Sequence, residues 1–265
     1  MATSRRAVGI IPARLQSSRL PRKLLLDETG KVLLEYAWSA ACRSRHLDRV
    51  LVAADCQEIV EAVEAFGGTA VLTGEHNSGT DRVAEVVGRC CDDVDIVVNV
   101  QGDEPELDPD HIDSLVESLA ERPGWDMATM STPIRDRETL EDPSCVKVVT
   151  GDSGEALYFS RQPIPCVRDG DTSRLLEEDP SPWLLHVGLY AYRREFLLAM
   201  TRWEMTVLEQ LECLEQLRAL EHGGSIGVIV AAHSAVGIDT PDDYARFVAR
   251  TLDGSDSVNT NERAA

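Results

Sequence analysis

Short apolar runs alternate along the chain with longer segments whose apolar residues recur every three or four positions. The short runs, several of them rich in β-branched residues, predict strands over 8–12, 49–53, 69–72, 96–100, 127–130, 146–149, 156–159, 187–192 and 226–230. The 3.6-residue period predicts helices over 33–42, 57–66, 80–90, 109–120, 207–221 and 241–252. Ile96-Val97-Val98-Asn99-Val100 is apolar toward both sides, as a strand covered on both faces requires. Strand–helix alternation in the first half predicts an α/β fold with a mostly parallel central sheet and helices on both faces. From about residue 145 to 192 strands and turns crowd together, so the sheet is expected to become mixed there. Pro109 and Pro241 follow Asp108 and Thr240 where helices start, and Gly67-Gly68 and Gly223-Gly224 close helices. Residues 167–182 read as a mobile surface loop. Residues 1–252 form one domain on this reading, and 253–265 a disordered tail.

Composition narrows the class. A hydrophobic fraction of 43% over 265 residues excludes a wholly disordered chain. With 46 acidic against 26 basic residues the net charge is −20, which argues against a nucleic-acid partner, since that needs a broad basic face. No apolar run approaches the roughly 18–20 residues of a membrane span. Residues 7–11, after Arg5 and Arg6, are too few for a secretory core, so the expectation is a cytoplasmic protein without membrane attachment. The seven cysteines are odd in number, scattered and lack a Cys-x-x-Cys pair, which points to reduced thiols rather than disulfides or zinc.

Four segments carry candidate chemistry. The loop after the first strand holds Arg14, Arg19, Arg22 and Lys23 within ten positions, where an even spread of basic residues would give about one. A basic cluster in so acidic a chain, at the end of a first parallel strand, suggests a phosphate site; the plain alternative is a solvated loop. Gln101-Gly102-Asp103 puts a carboxylate just past a buried strand, a position suited to Mg²⁺, although the carboxylates from Asp103 to Asp113 also read as a solvated helix entry. Asp239, before Thr-Pro, is either a second Mg²⁺ ligand or a helix-entry residue. The stretch from His76 to Arg82 opens a helix where backbone N–H groups and Arg82 meet an anion or a base edge, with Ser78 or Thr80 equally suited to capping alone. His186 lies among apolar residues and by default is a satisfied core histidine.

The order of the motifs decides between these readings. Ile-Pro-Ala-Arg-x4-Arg-Leu-Pro-x-Lys is followed by Ser-Gly-Thr-Asp-Arg, Asn-Val-Gln-Gly-Asp-Glu-Pro, Tyr-Phe-Ser-Arg, His-Val-Gly-Leu-Tyr, Leu-Glu-Gln-Leu-Glu-x-Leu-Glu-Gln-Leu-Arg and Asp-Thr-Pro-Asp-Asp. This succession, over about residues 7–250, resembles the 3-deoxy-manno-octulosonate (Kdo) cytidylyltransferases. The resemblance implies a GT-A-like nucleotidyltransferase, usually a homodimer, that joins CTP to Kdo with Mg²⁺ for lipopolysaccharide synthesis. It places Arg14, Arg19 and Lys23 at the triphosphate and Ser78, Gly79 and Arg82 at the cytidine. Asp103 and Asp239 would bind Mg²⁺, and Arg14, Lys23, Asp103 and Asp239 form the catalytic set. Gln101, Arg161, His186, Glu209 and Gln216 would face the sugar acid, with Arg161 taking its carboxylate. The chain departs from the family pattern at Arg22, where a glycine is common, at Cys166, where tryptophan is, and at Val207, where proline is. Two alternatives stay open: a cytidylyltransferase for another acidic sugar, such as an amino-Kdo analogue or a sialic acid, and a nucleotide-binding regulator without turnover.

Overall fold

Strand β1 (Ala7–Ala13) shows how the layers arise: Ala7, Ile11 and Ala13 join one apolar cluster, while Val8 and Ile10 join another on the opposite face. The computed structural model describes residues 6–262, with side chains to residue 253. Beside β1 lie β2 (Arg49–Ala54) and then β3 (Thr69–Leu72), and on its other side β4 (Ile96–Asn99), all parallel. The path continues through β8 (Leu184–Arg193), which is antiparallel to both neighbours, to β5 (Met127–Pro133) and β9 (Ile226–Val230). β6 (Lys147–Thr150) pairs with β8 and with β7 (Ala156–Ser160), both antiparallel. The sheet is therefore mixed and mostly parallel, with the antiparallel strands where turns crowd the sequence.

Helices cover both faces. α1 (Leu33–Ala41), α2 (Gln57–Ala65) and α4 (Pro109–Glu121) pack on one cluster, and α3 (Gly79–Cys90), α7 (Arg194–Met200) and α9 (Gln216–Glu221) on the other. Because β1 to β4 and β9 run the same way, the loops that leave them gather along one edge of the sheet. That edge carries residues 14–22, 73–78, 101–107 and 231–240.

Several expectations need correction. The helix expected over 207–221 is two, α8 (Val207–Glu212) and α9, because Cys213 turns left-handed at φ 51°. Leu214 and Leu217 still pack on the same core, so the apolar period runs through the break. The segment 167–182 is not plain loop: α6 (Thr172–Leu176) buries Leu176 against Trp183. α5 (Arg137–Glu141) and α7 were also unanticipated, since helices of five and seven residues span too few turns to show a period. Finally, α10 (Pro241–Glu262) continues through the expected polar tail as far as Glu262, in a stretch with no proline after Pro241. Residues 263–265 lie outside the described residues.

Candidate functional site

The residues at the strand ends enclose a cleft of about 410 Å³, within the usual range for small-molecule sites. Arg14, Arg19 and Lys23 line one wall, Ser78, Gly79 and Arg82 the second, and Gln101, Asp103 and Asp239 the floor. Local structure explains each placement. Asp55, just past β2, accepts the single Leu15 N–H with both carboxylate oxygens, each at 3.1 Å, and fixes the start of the basic loop. Arg22 adopts φ 56°, ψ 27°, the left-handed region that favours glycine, which accounts for the residue type common there in the resembling family. Its guanidinium turns away from the cleft to pair with Glu58. Gly102 sits where an added Cβ would meet Ile11 at 3.1 Å and Leu34 at 3.3 Å, so the backbone passes close over the core to deliver Asp103.

Asp103 and Asp239 converge on one cation. Lys23 Nζ donates to Asp103 Oδ2 at 2.6 Å and to Asp239 Oδ1 at 3.0 Å, and Arg19 Nη2 meets Asp239 Oδ2 at 3.0 Å. The two loops are also joined by backbone, Ile238 N donating to Asp103 O at 2.9 Å. Two carboxylates aimed at a single positive position are a donor set that suits Mg²⁺, whose remaining positions water and phosphate oxygens fill. Arg14 is exposed and has no ion-pair partner among the described residues, so its charge is available to a ligand.

The opposite wall is braced from behind. Ser78 caps α3, its Oγ accepting from Asp81 N at 3.1 Å, and still faces the cleft. Arg82 is buried and donates to Thr73 Oγ1 and, at 3.2 Å, to Gly74 O, so it holds the loop 73–78 in place. Glu85 accepts from His76 at 2.6 Å and from Gly74 N at 3.0 Å, and the His76 bond leads the effects that bring its carboxyl down to about 2.

A second cavity of about 200 Å³ adjoins the first, sharing Pro12, Gly79 and Gln101. Asn99, Tyr190, Tyr192, Glu215 and Gln216 complete its polar lining with Thr80. Three buried atoms here, Asn99 Oδ1, Glu215 Oε1 and Gln216 Nε2, have no protein hydrogen-bond partner. A buried polar atom without a partner is uncommon, and two acceptors with one donor around a small cavity suit a polyhydroxylated ligand. A β-bulge in the β5–β8 pairing accompanies this corner, and Gln101 Nε2 donates to Gly188 O at 3.1 Å.

Arg161, His186 and Glu209, also expected at the sugar acid, do not line this small cavity. Arg161 gives Nε to Glu212 O at 2.6 Å, Nη1 to Pro143 O at 2.9 Å and Nη2 to Cys213 O at 3.3 Å. Its guanidinium thus caps the C-terminal carbonyls of α8, where the helix dipole favours a cation, and pairs with no carboxylate of the 169–179 segment. Glu209 belongs to a capping box with Thr206 and forms a buried pair with Arg218, at 2.8 Å to Nε and 2.5 Å to Nη2. The acid on the wall of the small cavity is Glu215, while Glu209 lines a neighbouring cavity of about 530 Å³ that reaches Ser78 on one side and Glu215 on the other. His186 shares a hydrogen bond of 3.1 Å with Thr129 Oγ1 and packs between Phe159 and Tyr190, and burial brings its pKa down to about 3. Thr80, Asn99, Tyr190 and Glu215 were missed in the sequence; the only signal was that Glu215 and Gln216 repeat the Leu-Glu-Gln-Leu of 208–211.

The sequence model of the cytidylyltransferases matches residues 8–226. The chain belongs to the cytidylyltransferase family. A 3-deoxy-manno-octulosonate cytidylyltransferase of Rhodopirellula baltica is 49% identical over 242 residues, covering 91% of this chain and 96% of that protein. The corresponding protein of Geobacter sulfurreducens is 44% identical over 246 residues, covering 91% and 98%. Among solved structures, a CMP-2-keto-3-deoxy-manno-octonic acid synthetase complexed with CTP superposes with a TM-score of 0.85 at 38% identity, over 94% of this chain and 99% of that one. The 4-diphosphocytidyl-2C-methyl-D-erythritol synthase of Anaerococcus prevotii shares the fold alone, with a TM-score of 0.59 at 12% identity over 94% and 97%. This cytidylyltransferase is accordingly a nucleotidyltransferase whose α/β architecture agrees with the expectation from its strand pattern.

Proposed function

We propose that this cytidylyltransferase transfers CMP from CTP to the 2-hydroxyl of Kdo, releasing pyrophosphate and giving CMP-Kdo for lipopolysaccharide assembly. The observation that carries the reading is the joining of two cavities of different chemistry at Gln101: a charged cleft beside a small polar one. CTP fits the first, with the triphosphate against Arg14, Arg19 and Lys23 and the nucleoside toward Ser78 and Gly79. The sugar acid fits the second, its hydroxyls meeting Asn99, Gln101, Glu215 and Gln216.

Attack on an α-phosphate needs charge neutralisation and in-line placement more than a covalent intermediate. Asp103 and Asp239 would hold Mg²⁺, which when bound screens the phosphate charge and favours ionisation of the attacking hydroxyl. Lys23 keeps the two carboxylates converged and is positioned to follow charge onto the phosphates. Arg14 and Arg19 stabilise the departing pyrophosphate. Arg82 shapes the nucleoside wall without needing to touch the ligand. Arg161 reaches the sugar carboxylate only by releasing the carbonyls it now holds. The reading includes a homodimer in the cytoplasm; no described helix is long and apolar enough to cross a membrane.

Comparing CMP-sugar formation from CTP across Kdo, its amino analogue and a sialic acid tests the substrate. Kdo is expected to react with the highest kcat/KM; a tenfold or greater preference for another acid reassigns the sugar but not the nucleotide.

A further inference from the structure

Outside both cavities, one side-chain cluster combines metal-ligating groups from two loops. Asp108, His111 and His233 bring one ligand atom each to within 4.8 Å of one another. Asp108 caps α4 and divides its oxygens: Oδ1 accepts from Asp110 N at 3.0 Å, while Oδ2 faces His233 Nε2 at 3.5 Å. His111 follows three positions later, on the same side of the first turn. It is only 8% exposed, and its ring nitrogens have no hydrogen-bond partner among the described residues. The ring is largely enclosed, yet its nitrogens are open at the surface and hold no other protein group, so they are available to a ligand. His233 arrives from the loop after β9, and the two ring centroids lie 5.4 Å apart.

We propose that Asp108, His111 and His233 form a second cation site, suited to a late first-row divalent ion of the Zn²⁺ class. Two imidazoles and a carboxylate match the ligand preference of such ions and leave a position for water. Mg²⁺, which keeps to oxygen ligands, does not compete here. The placement gives the site a purpose. Asp108 lies five positions after Asp103, and His233 six before Asp239, so the ion fastens together the two loops that present the catalytic carboxylates. Those loops already meet through Ile238 N and Asp103 O at 2.9 Å, and α10 reaches the first of them through Arg250 and Glu106, also at 2.9 Å. The bound ion adds a side-chain tie to this seam and limits how far Asp103 and Asp239 separate.

The test reads binding, not turnover, so it is independent of the proposed reaction. Metal-free, untagged protein in Mg²⁺ buffer is titrated with Co²⁺ and followed by visible d–d absorption, alongside His233→Ala. His233 has a side chain 73% exposed, so the variant retains the fold. The expected result is one saturable equivalent without thiolate charge-transfer absorption, weakened at least about tenfold in His233→Ala. Zn²⁺ at about a hundredfold over its wild-type dissociation constant is expected to raise the melting temperature by about 5 °C in the wild type and by at most about half that in His233→Ala. Equal Co²⁺ binding by both proteins, a thiolate band, or no saturable binding overturns the site.

Discussion

Glu209 separates a structural from a substrate-binding role. Its carboxylate holds Arg218 through two hydrogen bonds, of 2.8 and 2.5 Å, with both side chains under 10% exposed. Glu209→Ala strands a buried guanidinium, a change that costs about 3–5 kcal/mol. In a chain of this size each kcal/mol lowers the melting temperature by roughly 2–4 °C, so a fall of about 6–20 °C is expected. Glu209→Leu with Arg218→Met removes both charges and is expected to recover much of the loss, since well-packed apolar replacement of a buried pair is often neutral. Urea unfolding of the wild type, Glu209→Leu, Arg218→Met and the double variant measures the coupling. Glu209→Gln, which preserves volume, is expected to leave both KM values within about twofold, whereas Glu215→Gln raises the KM for Kdo selectively. A Glu209→Gln protein as stable as the wild type but with a Kdo KM raised tenfold or more would refute the assignment.

Arg161→Lys keeps the charge but cannot hold its three carbonyls in the same fork, so lower thermal stability is expected with equal, small changes in both KM values; a selective rise in the Kdo KM means that the guanidinium leaves the carbonyls for substrate. Burial, with Asp103 beside it, pushes Glu104 up to about 7 from its ordinary 4.5, so its contribution to stability is complete below pH 4.5 and is lost as pH rises through about 7. In metal-free buffer, the stability of Glu104→Gln relative to wild type therefore grows across that window and then levels; a difference that stays flat from pH 4 to 8 contradicts the placement. Arg22→Gly puts the favoured residue type at a left-handed position and removes only a pair facing away from the cleft, so kcat and the CTP KM should stay within about twofold; a larger change in the CTP KM assigns Arg22 a phosphate contact.

The parts of this molecule legible in the sequence are those governed by local pattern. Each strand was visible because short apolar runs, several of them rich in β-branched residues, are written within a few positions. The charged cleft was suggested by loops after parallel strands sharing an edge, and the resemblance to the Kdo cytidylyltransferases then singled out Arg14, Lys23, Asp103 and Asp239 within it. The polar cavity was less legible because its walls are decided by pairings distant in sequence. Glu209 and Glu215 stand in nearly identical local sequence, and only the turn at Cys213 sends one to Arg218 and the other to the cavity. Lys147, fully buried with Nζ donating to the carbonyls of Asp142, Cys145 and Arg161, gave no sign of itself in a strand that otherwise reads as apolar. His111 and His233 are more than a hundred positions apart, beyond any spacing rule.

The central claim is that Asp103 and Asp239 hold one metal-dependent centre that joins CTP to Kdo. Pyrophosphate release from CTP, measured with and without Kdo and with and without Mg²⁺, tests it in wild type, Asp103→Asn and Asp239→Asn. The account predicts release only when both Kdo and Mg²⁺ are present, and a loss of roughly 10²-fold or more in each variant with the fold unchanged. Release independent of Kdo, or near-normal turnover in either variant, would contradict it.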